Sequence, residues 1–208
     1  MATTTTNYGF DIPQSTDLVK DGATAIATLG QDIDTAMNTA LGTKKAGMVL
    51  LNTTSFSAVA SQSISDVFST TYDNYRILYT CTTSLENTIN LRLRVSGADN
   101  TTSNYYFQRT LSKDGNTVSG GENLAATSWA GFNTNTTMEP IEVELYSPFL
   151  STTTAFLGRY HKVETLATVH ETGTLSGVHN VTSSFTGFTF TVGGGTMSGT
   201  ISVYGYNK

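Results

Sequence analysis

The sequence predicts an all-β protein, an antiparallel β-sandwich or jelly roll preceded by a short N-terminal α-helix that forms a coiled coil. Charged residues make up 13% of the chain, against about 25% in typical soluble domains, and Thr, Ser, Asn and Gly take their place. β-Branched Thr suits the pleated faces of sheets. After residue 47 the apolar residues alternate or stop at turn residues, as strands do. We therefore expect an extended arm over residues 1–16, a helix over 17–45 and a β domain over 46–208.

The helical segment carries a heptad pattern. Apolar or small residues recur at alternating intervals of three and four over about three heptads, which is the a/d spacing of a coiled coil, with the larger ones at Val19, Ile26, Leu29 and Ile33. Gly22 and Gly30 weaken a helix that is marginal alone in water. It therefore needs a partner, either the chain's own β domain or the same helix of neighbouring subunits. The small residues along the seam favour the second.

The remainder of the chain predicts a series of about ten short strands. Ile89, Leu91, Leu93 and Val95 alternate with polar residues, and Asp114-Gly115 is a hairpin-turn signal. Regularly spaced short strands without intervening helices are typical of a sandwich or jelly roll. The predicted strands cover residues 48–53, 75–82, 88–96, 104–112, 117–118, 129–132, 141–146, 155–163, 165–170, 184–192 and 197–206.

No metal, cofactor or nucleophile pattern is evident. The single cysteine, Cys81, excludes an intramolecular disulfide and lies in an apolar run, which predicts a small buried hydrophobe. His161, His170 and His179 stand nine residues apart, without the short spacing of a metal-binding pair. Within the sequence, no Gly-x-Ser-x-Gly elbow and no phosphate-loop lysine occur. We therefore expect no enzyme activity, no metal and no cofactor.

Two further sets of residues are candidates for ligand binding. Glu142 and Glu144 share one strand face at a spacing that would suit paired carboxylates, although a solvated face is the favoured interpretation. Tyr105, Tyr106 and Trp129 are candidate ligand-binding aromatics, with burial in the core as the favoured alternative for Trp129. A polysaccharide-acting hydrolase is thus unsupported by any constellation of catalytic residues.

Charge and hydropathy exclude other classes of partner. The net charge of −5 and pI near 5.0 argue against nucleic acid, which needs clustered Lys and Arg. The sequence contains no run of about 18 apolar residues, so we expect no membrane-spanning helix. The first six residues lack the basic and apolar parts of an export signal, which predicts folding in a cytoplasm.

Two stretches of the chain resemble virion structural proteins of tailed bacteriophages. The first resembles a segment near the start of tail fibres and minor tail proteins, and the second resembles a β domain of minor structural proteins. The first comprises residues 8–13 (YGFDIP), 16–23 (TDLVKDGA) and 29–34 (LGQDID). The second comprises residues 63–69 (SISDVFS), 72–77 (YDNYRI) and 91–97 (LRLRVSG).

The resemblance implies a fibre-like homotrimer located in the virion and assembled in the cytoplasm of the host bacterium. Its N-terminus would dock onto other phage virion proteins, with Tyr8, Phe10, Ile12 and Pro13 as the attachment residues. Its distal β domain would face the host, where a cell-surface glycan is the expected ligand. A head fibre or capsid decoration protein shares all these features. A bacterial carbohydrate-binding module is a further alternative, although such modules ordinarily carry an export signal.

Overall fold

The computed structural model describes residues 3–6, 8–12, 18–42, 47–114, 117–165 and 169–208. The chain divides into two compact units, Met1–Ala46 and Gly47–Lys208. The predicted attachment residue Pro13 lies outside the described residues.

The N-terminal unit combines a small hairpin with the predicted helix. Strands β1 (Thr3–Thr4) and β2 (Asp11–Ile12) pair antiparallel, where the sequence predicted an extended arm. A turn joins them, in which the Gly9 amide donates to the Thr5 carbonyl at 3.0 Å and Gly9 adopts a φ of 68°, a conformation that glycine tolerates best. Helix α1 covers Val19–Gly42.

Of the large apolar side chains that the structure describes in helix α1, most are in contact with solvent. Ile26 is 68% exposed, Met37 is 55% exposed and Ile33 is 40% exposed, whereas Leu29 is half-buried. The Val19 side chain lies outside the described part of the structure. Within the N-terminal unit the predicted seam is therefore largely uncovered.

The C-terminal unit is built from strands alone within the residues that the structure describes there. In chain order these are β3 (Met48–Val59), β4 (Ser61–Ile64), β5 (Asn74–Thr83), β6 (Asn87–Val95), β7 (Ala98–Asp99), β8 (Tyr105–Lys113), β9 (Thr117–Ala126), β10 (Trp129–Thr134), β11 (Glu139–Tyr146), β12 (Thr154–Thr165), β13 (Val169–His179), β14 (Gly187–Val192) and β15 (Met197–Tyr206).

These strands form two antiparallel sheets. The larger sheet has eight strands in the order β3-β15-β5-β11-β12-β13-β8-β9. The smaller sheet has the order β10-β6-β14-β4, with β7 paired to β6. The predicted fold class, an antiparallel β-sandwich preceded by an N-terminal helix, is confirmed.

The core lies between the two sheets and is rich in aromatic rings. From the smaller sheet, Trp129 packs on Phe156 of the larger one with ring centroids 4.4 Å apart, and Phe190 packs on Tyr79 at 5.1 Å. Cys81 is fully buried, as predicted, and burial raises the pKa of its thiol to about 11. The alternation predicted for β6 is confirmed at Ile89, Leu91 and Leu93, which are all fully buried, whereas Val95 is 37% exposed.

Strand β13 differs most from its prediction, because the strand expected at 165–170 instead runs from Val169 to His179. Its glycines resemble turn signals in the sequence, but they mark close approaches in the sheet. A Cβ atom at Gly173 would lie 2.1 Å from the Tyr160 ring, and one at Gly177 would lie 2.1 Å from the Tyr106 carbonyl oxygen. Strand β9 is likewise longer than predicted and ends at Ala126.

Candidate functional site

A groove of about 830 Å³ crosses the outer face of the larger sheet, the face turned away from the core. Two adjacent rows of side chains line it, and each row crosses the five strands β11, β12, β13, β8 and β9 in register. The first row is Glu142, Arg159, Thr174, Thr110 and Gly120. The second row is Glu144, Leu157, Ser176, Gln108 and Glu122.

The period of two along each strand explains why these residues share one face. In β13, Gly173 and Leu175 turn inward and are buried, whereas Thr174 and Ser176 turn outward and are exposed. The central strands thus supply short hydroxyl side chains, and longer side chains stand on either side. This difference in side-chain length makes a depression with a hydroxyl-lined floor. Five neighbouring strands span about 19 Å across the sheet.

One wall of the groove is a network of charged groups. Arg159 donates to Glu142 through Nε at 2.8 Å and Nη2 at 3.1 Å, a bidentate geometry that fixes orientation. Arg76, on β5, pairs with the same carboxylate through Nη2 and lies 3.6 Å from Glu144 through Nε. The Tyr206 hydroxyl lies 2.8 Å from both carboxylate oxygens of Glu144. The two carboxylates are therefore held in place before any ligand arrives.

The protonation of this wall reflects the same contacts. The hydrogen bond and charge of Glu142 raise the pKa of the Arg159 guanidinium above its ordinary value. Burial, together with the bond to Glu144, raises the pKa of the Tyr206 hydroxyl. Both groups therefore keep their protons at neutral pH and act as hydrogen-bond donors.

An apolar row runs beside the second groove row on the same face. It consists, in register, of Tyr146, Ala155, Val178 and Tyr106. Tyr146 is 39% exposed and Val178 is 40% exposed, while Tyr106 is half-buried. The groove thus has an apolar surface next to its polar floor.

The structure separates the three predicted ligand-binding aromatics. Tyr105 and Trp129 are fully buried, with ring centroids 5.2 Å apart, so neither ring can contact a ligand, and for Trp129 this is the favoured alternative of burial in the core. The Trp129 Nε1 donates instead to the Val178 carbonyl at 3.4 Å. Tyr106 points the other way because neighbours along a strand alternate, and it alone borders the groove.

The histidines are arranged differently from what their spacing indicates. His161 and His170 meet across the β12–β13 hairpin, with Nε2 and Nδ1 3.2 Å apart, at the edge of the groove face. His179 is fully buried between Tyr105 and Phe185. Within the described residues, no three His, Cys, Asp or Glu side chains converge as a metal site would require.

His170 and Glu171 are adjacent in the sequence, but Glu171 does not act as an acid–base partner of His170. It is buried and accepts a hydrogen bond from the Tyr160 hydroxyl at 2.6 Å and from Asn133 Nδ2 at 2.7 Å. His170, one residue earlier, is exposed on the opposite face. The two side chains therefore cannot act on one substrate.

The predicted attachment residues that the structure describes lie on the N-terminal hairpin. Tyr8 is 72% exposed and stacks on Phe10 with ring centroids 5.6 Å apart. Ile12 is 39% exposed. This small apolar surface is available for contact with another protein.

Most of the groove was missed in the sequence. Glu142 and Glu144 were identified as a pair, but Arg159, Thr174 and Ser176 carry no motif. Alternation along β12 and β13 indicates that these residues face outward. Only the pairing register, which the sequence does not encode locally, brings them beside the two glutamates.

Comparisons with known proteins add no relative to this picture. No family model matches the sequence, and searches of curated proteins and of solved structures found no match. Among the described residues, no helix has the length and apolar character needed to cross a membrane.

Proposed function

We propose that this protein is a non-enzymatic virion structural protein of a tailed bacteriophage, an oligomeric tail fibre or tail-associated protein. In this proposal its N-terminal unit docks onto other virion proteins and joins subunits, and its β domain is displayed for attachment to the host. The observation that carries the proposal is the apolar seam of α1, which its own unit leaves largely uncovered.

The exposed seam supports oligomerisation through the helix. Burying apolar surface contributes roughly 25 cal/mol per Å², so a monomer that leaves Ile26, Ile33 and Met37 in water forgoes that stabilisation. A helix with Gly22 and Gly30 in its interior has little stability of its own. Association with copies of itself, as a homotrimer, supplies the missing burial.

The β-sandwich supports a role in display. Its core is complete without the helix, since both sheets bury their inner faces against each other. Its large outer face carries an open groove in which Glu142 and Glu144 are already paired with Arg76 and Arg159. Such a domain suits a surface that meets the host, at the distal end of a fibre.

The decisive experiment for the helix measures mass in solution. We expect the wild-type protein at micromolar concentration to have the mass of three chains. Ile26→Asp with Ile33→Asp should give a single chain with unchanged β signal in circular dichroism, because charge in the seam opposes association. Gln31→Asp with Asn38→Asp is the matched control on exposed positions of the same helix and should leave the assembly intact. A monomeric wild type contradicts the proposal.

The virion assignment is tested separately. Antibody-labelled protein should be located on intact phage particles by electron microscopy, at the tail for a fibre or at the head for a capsid decoration protein. Purified protein should also compete with phage adsorption to host cells. Absence from the particle would contradict the assignment.

A further inference from the structure

We propose that the groove across β11, β12, β13, β8 and β9 binds a neutral oligosaccharide in an extended conformation. This inference rests on the proposed function in one respect: a displayed domain gives such a site its target, the host surface. The site itself follows from charge, hydrogen-bonding capacity and shape.

Charge in and beside the groove disfavours an anionic ligand. Its lining contains the carboxylates of Glu122, Glu142 and Glu144 and the guanidinium group of Arg159, and a second guanidinium, of Arg76, pairs with Glu142 at the base of the wall. The Arg109 guanidinium points to the opposite face of the sheet, where it donates to Asn133 Oδ1 at 3.2 Å. Three carboxylates and two guanidinium groups leave no excess of cations for an anionic ligand, and the contacts with Arg159 and Arg76 offset the charge of Glu142 and Glu144. A ligand without charge fits this arrangement.

The groove presents both donors and acceptors along its length. Thr110, Thr174 and Ser176 each carry a hydroxyl that donates one hydrogen bond and accepts others, and Gln108 does both through its amide. Sugar hydroxyls have the same dual character. The carboxylates of Glu142 and Glu144 retain acceptor sites beyond those used by their partners, since an ionised carboxylate has about four.

The acidic wall is preorganised. Arg159, Arg76 and Tyr206 fix the two carboxylates, so binding a hydroxyl there requires little further ordering. Preorganisation lowers the entropic cost of binding. Arg159 remains 67% exposed in its side chain and can therefore also donate to a ligand from its free N–H groups.

Apolar contacts are available where a sugar ring would need them. Leu157 rises from the second row and is 50% exposed. The row beside it adds Val178 and the rings of Tyr106 and Tyr146. The C–H face of a pyranose ring can cover these side chains while its hydroxyls reach the floor.

Shape favours an oligosaccharide over a single sugar or a second copy of this chain. The groove is open and runs about 19 Å across five strands, longer than one sugar ring. The central parts of protein–protein interfaces are depleted in charged residues, whereas this groove has charged groups at both ends. Self-association through this face is therefore an outcome to test and is not proposed.

The test uses the full-length protein and a panel of purified oligosaccharides, measured by calorimetry. The panel contains neutral members built from hexoses, deoxyhexoses and N-acetylhexosamines, and matched acidic members that contain uronic or sialic acid. We expect at least one neutral member to bind with a dissociation constant below about 1 mM. No neutral binding at that level, or binding of acidic members only, overturns the proposal.

Two variants locate the binding in the groove. Ser176→Trp fills the floor and should weaken binding at least about tenfold, equivalent to about 1.4 kcal/mol. Ser55→Trp places the same side chain on an exposed position of edge strand β3, paired with Thr200 outside the groove, and should leave binding unchanged. Thr174→Val removes one floor hydroxyl at nearly constant volume and should weaken binding without altering the fold.

The outcomes separate this inference from the proposed function. Equal binding by wild type and Ser176→Trp, with both folded by circular dichroism, overturns the groove assignment but leaves the oligomeric fibre standing. Loss of self-association in Ser176→Trp identifies the face as a contact between copies and overturns the glycan site. A monomeric protein that binds a neutral oligosaccharide through the groove overturns the fibre proposal and keeps this one.

Discussion

The two faces of the eight-stranded sheet carry different kinds of side chain on the same strands. The inner face of β12 and β13 presents Phe156, Tyr160 and Leu175, all nearly fully buried. The outer face of the same strands presents Arg159, Thr174 and other short or charged side chains that line the groove. Because successive side chains alternate between faces, each strand contributes to both surfaces.

If the groove binds a ligand as proposed, stability and recognition are encoded by alternate residues of the same strands. The inner face gains free energy from burial and dense packing, so it tolerates few changes. The side chains of the outer face do not pack in the core, so they can vary while the fold persists. Substitutions on the two faces should therefore separate folding from ligand binding.

The largest effect is expected at Trp129. Trp129→Ala removes a fully buried ring that packs on Phe156 and Tyr105, and large-to-small changes of this kind cost about 3–5 kcal/mol. Urea unfolding should report that loss in the free energy of unfolding. A loss below about 1 kcal/mol would mean that the two sheets do not pack as described.

The next effect is expected at Gly173, where a single added methyl group meets the inner face. The new Cβ of Gly173→Ala would lie 2.1 Å from the Tyr160 ring, so the ring must move and the unfolding free energy should fall by about 1–3 kcal/mol. Thr174→Ala, one residue later on the outer face, should stay within about 0.5 kcal/mol of wild type. Equal effects at the two positions would contradict the alternation.

Strands β6, β11 and β13 show what the sequence can and cannot predict. Alternation at Ile89, Leu91 and Leu93, and at Ile141, Val143 and Leu145, correctly indicated buried strand faces, because apolar periodicity records burial directly. Strand β13 is not evident in the sequence because it contains Gly173 and Gly177, and glycine is equally typical of a turn. Their role depends on the partners Tyr160 and Tyr106, which lie on other strands.

Prediction of the groove from the sequence likewise requires the long-range pairing of strands. Outward-facing Thr174 and Ser176 are ordinary residues of a Thr- and Ser-rich chain, and only the register with Glu142 and Glu144 makes them one surface. The contact between His161 and His170 likewise requires the hairpin pairing. Long-range register is fixed by the core as a whole, so it was not available from local patterns.

A smaller, pH-dependent effect is expected at His179, which lies on the inner face. Burial lowers the pKa of His179 below its ordinary value of 6.5, so the unfolded chain binds the proton more strongly than the folded chain does. Its contribution to stability is complete above pH 6.5 and is lost as the pH falls from there through the lower pKa of the folded state.

His179→Phe tests this contribution, because it keeps a ring between Tyr105 and Phe185 and removes the titration. The free energy of unfolding should be measured from about pH 5 to about pH 8. The wild-type value should fall more steeply than the variant's toward acid, and parallel curves would assign the acid sensitivity to other groups.

The smallest effect on stability is expected at Leu157, and it sharpens the contrast between faces most directly. Leu157 is 50% exposed on the outer face, whereas Leu175, on the adjacent strand, is 3% exposed on the inner face. Leu175→Ala should cost about 2–5 kcal/mol, while Leu157→Ala should remain within about 0.5 kcal/mol of wild type. If Leu157 nevertheless supports a sugar ring, its removal should weaken neutral-oligosaccharide binding in calorimetry while the urea midpoint stays constant. Loss of stability and retention of binding in Leu157→Ala would instead place this side chain with the core and remove it from the groove's apolar contact surface.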